Sequence, residues 1–196
     1  MNRLFRNSYI CGIKTVAMEK KDIMSFSSQE LYKTAKVLRA SFHEGCLVST
    51  YHNINKSDTI HSGIPLFQYP CRVDAVMVVV CEKGQAKFTS NLRQYTLREN
   101  MLYINATNTI IKVDEIEDSV IHLIAFDETF LRDVHIDLKS VLPRFISLLD
   151  NPCMTILPEE LDGIRQIFGM IEREMENLSG KPYQKEILRG YTSVAI

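Results

Sequence analysis

The chain has 196 residues, 45% hydrophobic and 24% charged, enough for one or two domains with a substantial buried core. Its 23 basic and 24 acidic residues leave a formal net charge of -1, and Arg3, Arg6, Lys20, Lys21 and Arg72 are scattered, so no overall field gathers nucleic acid. Lys14 interrupts Ile10, Ile13 and Val16 before a signal peptide or membrane span can form, and the five cysteines (Cys11, Cys46, Cys71, Cys81, Cys153) lack close pairing, which fits reduced thiols in a cytoplasmic protein.

Residues 1–45 read as an N-terminal arm with one short helix. Ser27 and Glu30 fit a capping box, and Leu31, Ala35 and Leu38 form an apolar stripe behind it. Residues 46–130 read as strands. CLVSTYHNI is β-branched and aromatic and ends in the polar NKSD turn. Pro65 and Pro70 bound an irregular LFQY segment. The run from Ala75 to Cys81 is almost continuously apolar, as a strand buried on both faces should be.

EKGQ is then expected to reverse the chain, with Gly84 free to take a positive backbone angle. Ala86 and Phe88 alternate with Lys87 and Thr89, NLRQ supplies a second reversal, and Tyr95 and Leu97 resume an inward face. Glu99 and Asn100 turn the chain into MLYIN. TIIKV and SVIHLIAF follow, separated by an expected DEIED turn in which Asp114, Glu115, Glu117 and Asp118 form a solvated hairpin tip. Short strands joined by short polar turns predict a mainly β protein, an antiparallel barrel or sandwich, and the lack of long amphipathic crossovers argues against a doubly wound sheet.

Residues 131–196 take a helical period. Leu138, Val141, Leu142, Phe145 and Leu149 share one stripe that Pro143 divides, and Asn151 and Pro152 mark a turn. Pro158 fits a first helical position, followed by Glu159 and Glu160 at the positive end. Leu161, Ile164, Phe168, Ile171 and Met175 form a long apolar face, which Ile167 and Met170 broaden and Ser179, Gly180 and Pro182 terminate. Part of that face should pack on the barrel, and the same five residues are the candidates for two-fold self-association into a homodimer. A last helix starts at Tyr183 and carries Ile187, Tyr191 and Val194 at helical spacing. The two helices should form an antiparallel hairpin. No stop signal closes the last one before Ile196, so a further region is expected beyond it.

No HExxH, close CxxC pair, Walker loop or GxSxG elbow is present, and no catalytic residue is assigned. The histidines 43, 52, 61, 122 and 135 are widely spaced, and a metal would need His52, His61 and His122 to converge, so neither metal nor cofactor is expected. Arg72 is a candidate anchor for an anionic ligand, although pairing with Asp74 is the commoner arrangement for such a cluster. His122, between Ile121 and Leu123, reads as a hydrogen-bonded core or pocket histidine. Met77, Val79, Phe88, Tyr95, Tyr103 and Phe126 are candidates to point into the barrel, which such side chains either fill or line around a small-molecule cavity. Tyr95 and Tyr103 favour a cavity, because a phenol buried without a partner is costly.

Three segments, FQYPCRVDAVMVVVCEKGQAKF, NLRQYTLRENMLYIN and HIDLKSVLPRFISLLDNPC, with KPYQKEILRGY after them, carry a resemblance that spans about Phe67 to Tyr191. They resemble the N-terminal regulatory domain of AraC-type transcriptional regulators, of the kind common in Bacteroides-like bacteria. The resemblance implies a cupin-like barrel (a jelly roll) followed by dimerisation helices. It also implies a small-molecule effector, and DNA binding only through a separate C-terminal region with two helix-turn-helix units. On it, Gly84 lies in the turn of the first cupin hairpin. Metal-binding cupins carry a His-x-His and a glutamate there, whereas this chain has Gln85, Ala86, Lys87 and Phe88. The rival expectations are a cupin-type metalloenzyme, an isomerase or dioxygenase, and a purely structural dimerisation module with a filled barrel.

Overall fold

The structure is a computed structural model and describes residues 23–34, 39–52, 65–133, 151–177 and 183–195. In chain order the elements begin with β1 (Ser25–Phe26), α1 (Ser28–Thr34), β2 (Arg39–His43) and β3 (Cys46–His52), followed by a 3-10 turn at Pro65–Gln68. Then come β4 (Cys71–Val73), β5 (Val76–Ser90), β6 (Arg93–Arg98), β7 (Met101–Asn105) and β8 (Thr109–Phe126). The last are α2 (Glu128–Asp133), β9 (Cys153–Thr155), α3 (Pro158–Glu176) and α4 (Gln184–Ala195). The protein is mainly β with helices towards the C-terminus.

Two long strands organise the sheet. β5 and β8 pair antiparallel from Val76↔Phe126 to Ser90↔Ile111. On the far side of β8, β4 lies along residues 109–111 and β3 along residues 120–126. On the far side of β5, β7 lies along residues 77–81 and β6 along residues 85–90. Each long strand therefore belongs to two half-sheets. Leu47, Met77 and Tyr103 from one half share a core with Val73, Phe88, Leu97 and Ile111 from the other. The parallel pair β1–β4 makes the sheet mixed, and the path β1-β4-β8-β5-β7-β9 is open, so among the described residues hydrogen bonding does not close the barrel.

The sheet folds over where β5 slips register, at Cys81/Lys83, Lys83/Gln85 and Lys87/Phe88. Extra residues at such bulges bend a strand without ending it. Two expected reversals are thereby corrected. EKGQ is a bulge inside β5, and DEIED lies inside β8, not at a hairpin tip. Gly84 does take a positive φ of 78°, but for a different reason: a Cβ there would lie 2.4 Å from the Glu117 carbonyl oxygen and 2.5 Å from that of Asp118. The acidic residues are used across the ladder. Lys87 Nζ reaches Glu115 at 2.5 Å, Gln85 Nε2 donates to Glu117 at 2.6 Å, and Thr89 and Lys112 both donate to Asp114.

Where the chain does reverse, the turn chemistry is explicit. Asn91 and Leu92 (φ 45° and 67°) join β5 to β6, and Glu44 and Gly45 (φ 43° and 92°) join β2 to β3. Positive φ at both central residues matches the right-handed twist of a two-residue hairpin. The sheet also extends past the boundaries 46–130 drawn from sequence. β1 and β2 come from the arm, and β9 from the C-terminal region pairs with β7.

The capping box at α1 forms as expected. The Ser27 N–H donates to Glu30 Oε2 at 2.9 Å and the Glu30 N–H to Ser27 Oγ at 3.3 Å, and the Ser27 N–H and hydroxyl, both donating to the Glu30 carboxylate, hold it below its usual range. α3 begins with Pro158 at its first turn, and Glu160 accepts the Leu157 N–H at 2.7 Å. The expected stripe at Leu138–Leu149 and the break at Ser179–Pro182 lie outside the described residues.

Strand alternation places a second core on the outer face of the β3–β8–β5–β7 half-sheet. Cys46, Val48, Val78, Val80, Leu102, Ile124 and Phe126 meet Leu161, Phe168, Ile171 and Met175 of α3 and Leu188 of α4 there. The Ala75–Cys81 run is thus buried on both faces, as its composition predicts.

Candidate functional site

Between the half-sheets lies a cavity of about 90 Å³. Phe67, Met77, Val79, Ala86, Phe88, Leu97, Ile111, Val113, Ile116, Ile121 and Leu123 form its walls, and Tyr103 contributes the one polar side chain. At one end of the roll is a second, polar hollow of about 460 Å³, lined by Ser90, Asn91, Arg93, Tyr95, Tyr103, Ile104, Asn105, Ala106, Thr107, Thr109 and Pro152.

Four of the predicted ligand-facing residues, Met77, Val79, Phe88 and Tyr103, come together around the cavity. Tyr103 is 3% exposed, and its hydroxyl lies 2.9 Å from Ser90 Oγ. That bond supplies the partner a buried phenol needs, while burial raises its pKa well above the ordinary value. Phe88 meets Tyr103 edge-on at 4.7 Å and stacks with Tyr95 at 5.7 Å. Tyr95 itself lines the polar cleft. Asn105 is fully engaged: its Oδ1 accepts the Met77 N–H and its Nδ2 donates to the carbonyls of Ala75 and Ala106. It fixes the start of β5 beside the end of β7.

The other three candidates are elsewhere. Arg72 is exposed on β4, lines neither hollow and makes no ion pair with Asp74. Phe126 does not point inwards. It is fully buried on the outer face and stacks on Phe130 at 5.8 Å. His122 is likewise on the outer face, because its neighbours Ile121 and Leu123 take the two cavity-facing positions. His122 Nδ1 lies 3.2 Å from Thr50 Oγ1, and its ring meets Phe168 of α3 edge-on at 6.4 Å. Its Nε2 lies 2.6 Å from Glu82 Oε2, which also faces Arg165 Nε at 3.4 Å. The histidine joins sheet to helix.

Leu161, Phe168, Ile171 and Met175 are all buried against the chain's own sheet, and Ile164 is half-buried beside them. While α3 is docked, this stripe is therefore unavailable as a dimer surface. Ser90, Arg93 and Thr109 escaped the sequence reading, since residues flanking hairpins look like ordinary turn chemistry. Only the pairing Ser90↔Arg93 across the Asn91–Leu92 turn brings the first two together.

Among the described residues no group of three His, Cys, Asp or Glu side chains is arranged to hold a metal ion, and His61 and His135 lie outside them. Cys71 is buried and donates to the Ile111 carbonyl, and burial pushes its pKa up to about 11. No helix among the described residues is long and apolar enough to cross a membrane.

No protein-family model matches the chain, and no curated protein matches it. Among solved structures it is similar to apo ToxT from Vibrio cholerae, with 13% identity and a TM-score of 0.48 over 79% of this chain and 55% of that one. It is also similar to the AraC-like transcriptional activator CuxR, with 11% identity and a TM-score of 0.45 over 79% of this chain and 53% of that one. A cupin domain from Schizosaccharomyces pombe matches with 12% identity and a TM-score of 0.35 over 49% of this chain and 67% of that one. The chain spans about half the length of the two regulators.

Proposed function

We propose that this chain is a small-molecule-sensing, dimer-forming regulatory domain of the AraC type, acting without catalysis in the cytoplasm, with DNA bound by a separate region. One observation carries the reading. In β8, Ile121 and Leu123 line the cavity, while His122 and Ile124 between and beside them pack towards α3. β5 does the same, with Met77 and Val79 on the cavity and Val78 and Val80 under the helices. A molecule that widens the cavity acts on the strands on which α3 and α4 rest.

Such a molecule shifts the helices only if it binds their two arrangements with different affinity. The homodimer of this reading cannot use the buried stripe of α3 and must use other surfaces of the helical region. Native mass spectrometry of the purified chain over a concentration series, with metal analysis of the same sample, tests the reading. A metal-free dimer, with or without a small organic adduct, is the expected species. Stoichiometric metal would turn the assignment towards a cupin enzyme. A monomer at every concentration would remove dimer formation from the role of this chain.

A further inference from the structure

On the reading that the barrel senses a small molecule, its two hollows belong together. Among the described residues Tyr103 is the one common to both linings, and beside it Phe88 of the cavity wall stacks on Tyr95 of the cleft wall, so these rings stand between the cavity of about 90 Å³ and the cleft of about 460 Å³. One hydrogen bond, between the Tyr103 phenol oxygen and Ser90 Oγ at 2.9 Å, holds that ring's outer end, and Ser90 is itself part of the cleft wall. We propose that cleft and cavity form one divided binding site for a small aliphatic carboxylate, its charged end on Arg93 and its hydrocarbon end beside Tyr103 in the cavity.

Each half of that ligand follows from the walls. Among the described residues Arg93 is the only charged one lining the cleft, and it is exposed and has no carboxylate partner there. Its planar guanidinium matches a carboxylate with two parallel hydrogen bonds. Ser90, Asn91, Thr107 and Thr109 add hydroxyl and amide groups around it. Among the described residues the cavity offers no polar side chain except the Tyr103 hydroxyl, so it accepts hydrocarbon and rejects charge. At about 90 Å³ it is smaller than the cavity of about 150 Å³ that admits benzene, which suits a branched alkyl group of a few carbons. Burial keeps the phenol protonated, so it can exchange its bond to Ser90 for one to the incoming ligand.

The test uses isovalerate, its neutral isostere isovaleramide, and xenon, observed by NMR of the methyl-labelled protein together with the Arg93 side-chain signal. Isovalerate should shift the Val79 and Leu123 methyls and Arg93 in one titration, with an affinity about tenfold tighter than isovaleramide. Arg93→Gln, an exposed change that leaves the core intact, should erase that difference. Equal affinities for acid and amide, or shifts at Arg93 with silent cavity methyls, would overturn the proposal. If xenon shifts the methyls while isovalerate does not, the cavity is real and the sensing role stands, but the ligand class is wrong. If xenon also leaves them unmoved, the cavity is closed and the sensing role falls with the proposal.

Discussion

Glu82 on β5 and Arg165 on α3 meet across the outer face of the sheet, with Arg165 Nε 3.4 Å from the same carboxylate oxygen that His122 Nε2 approaches at 2.6 Å. The two contacts differ in worth. Arg165 is half-exposed and shared with Asp162, so its pairing contributes a few tenths of a kcal/mol, about 1 at most. The His122 ring is largely covered by Thr50, Phe168 and the strand, and losing Glu82 leaves its Nε2 without that partner. Glu82→Ala should therefore cost about 1–2 kcal/mol in urea unfolding, more than Arg165→Ala. The reverse ranking would mean that the helix-side ion pair, not the histidine bond, ties α3 to the sheet.

Gly84 and Gly169 should respond to alanine with opposite signs. At Gly84 the new Cβ meets two backbone carbonyls at 2.4 and 2.5 Å, and φ is 78°. Backbone on both sides of the bulge would have to move, so a loss of about 2–4 kcal/mol is expected. Gly169 sits within α3 with nothing inside 4 Å of its would-be Cβ. Alanine there removes backbone freedom from the unfolded chain and should add about 0.5–1 kcal/mol. Paired urea melts read both. A neutral Gly84→Ala would show that β5 is not pinned to β8 at the bulge.

The same bulge explains what was legible in the sequence and what was not. VMVVVC is buried on both faces and its composition says so, and the Ser27–Glu30 cap forms as written. EKGQ and DEIED carry a glycine or a run of charges between apolar stretches, which is also how a hairpin looks. What separates a bulge from a turn is the partner strand, and only the fold supplies Lys87 opposite Glu115 and Gln85 opposite Glu117. Each register slip also changes which residues face inwards. Met77, Val79, Phe88 and Tyr103 face the cavity as expected, and His122 is a hydrogen-bonded histidine, but Phe126 lies on the outer face, which a strand apolar on both faces does not reveal. The polar cleft was hidden because residues from the ends of four strands, β5 to β8, and from the turns between them build it.

The thiols should be inert in the folded protein. Burial raises Cys71, Cys81 and Cys153 to about 11, and pushes Cys46 up further. At pH 8 iodoacetamide should modify these four slowly in the native state and rapidly in urea. Stability carries the matching sign. In the unfolded chain a thiol titrates near pH 8.5, so above that the unfolded state loses protons that the folded state keeps. Stability should be level with respect to these groups below about pH 8.5 and fall as pH rises towards 11. Fast labelling of Cys71 in native protein would identify a local opening of β4 from β8.

The α3 stripe provides a test that separates folding from pairing. Ile171 is fully buried among the chain's own residues, sharing a core with Val80, Ile124, Phe126 and Leu188. Truncation to alanine removes methylene groups and leaves a hole that the sheet cannot fully close, at a cost of about 2–5 kcal/mol. If Ile171 serves only that core, Ile171→Ala lowers the unfolding midpoint by the same amount at low and high protein concentration, and any dimer survives wherever the protein is folded. If it contacts a second copy, the loss grows with concentration, because the wild-type dimer gains stability by mass action and the variant does not. Analytical ultracentrifugation beside urea melts at two concentrations distinguishes the cases. The burial of Ile171 in a single chain leads to the first: a stability loss independent of concentration, with sedimentation unchanged.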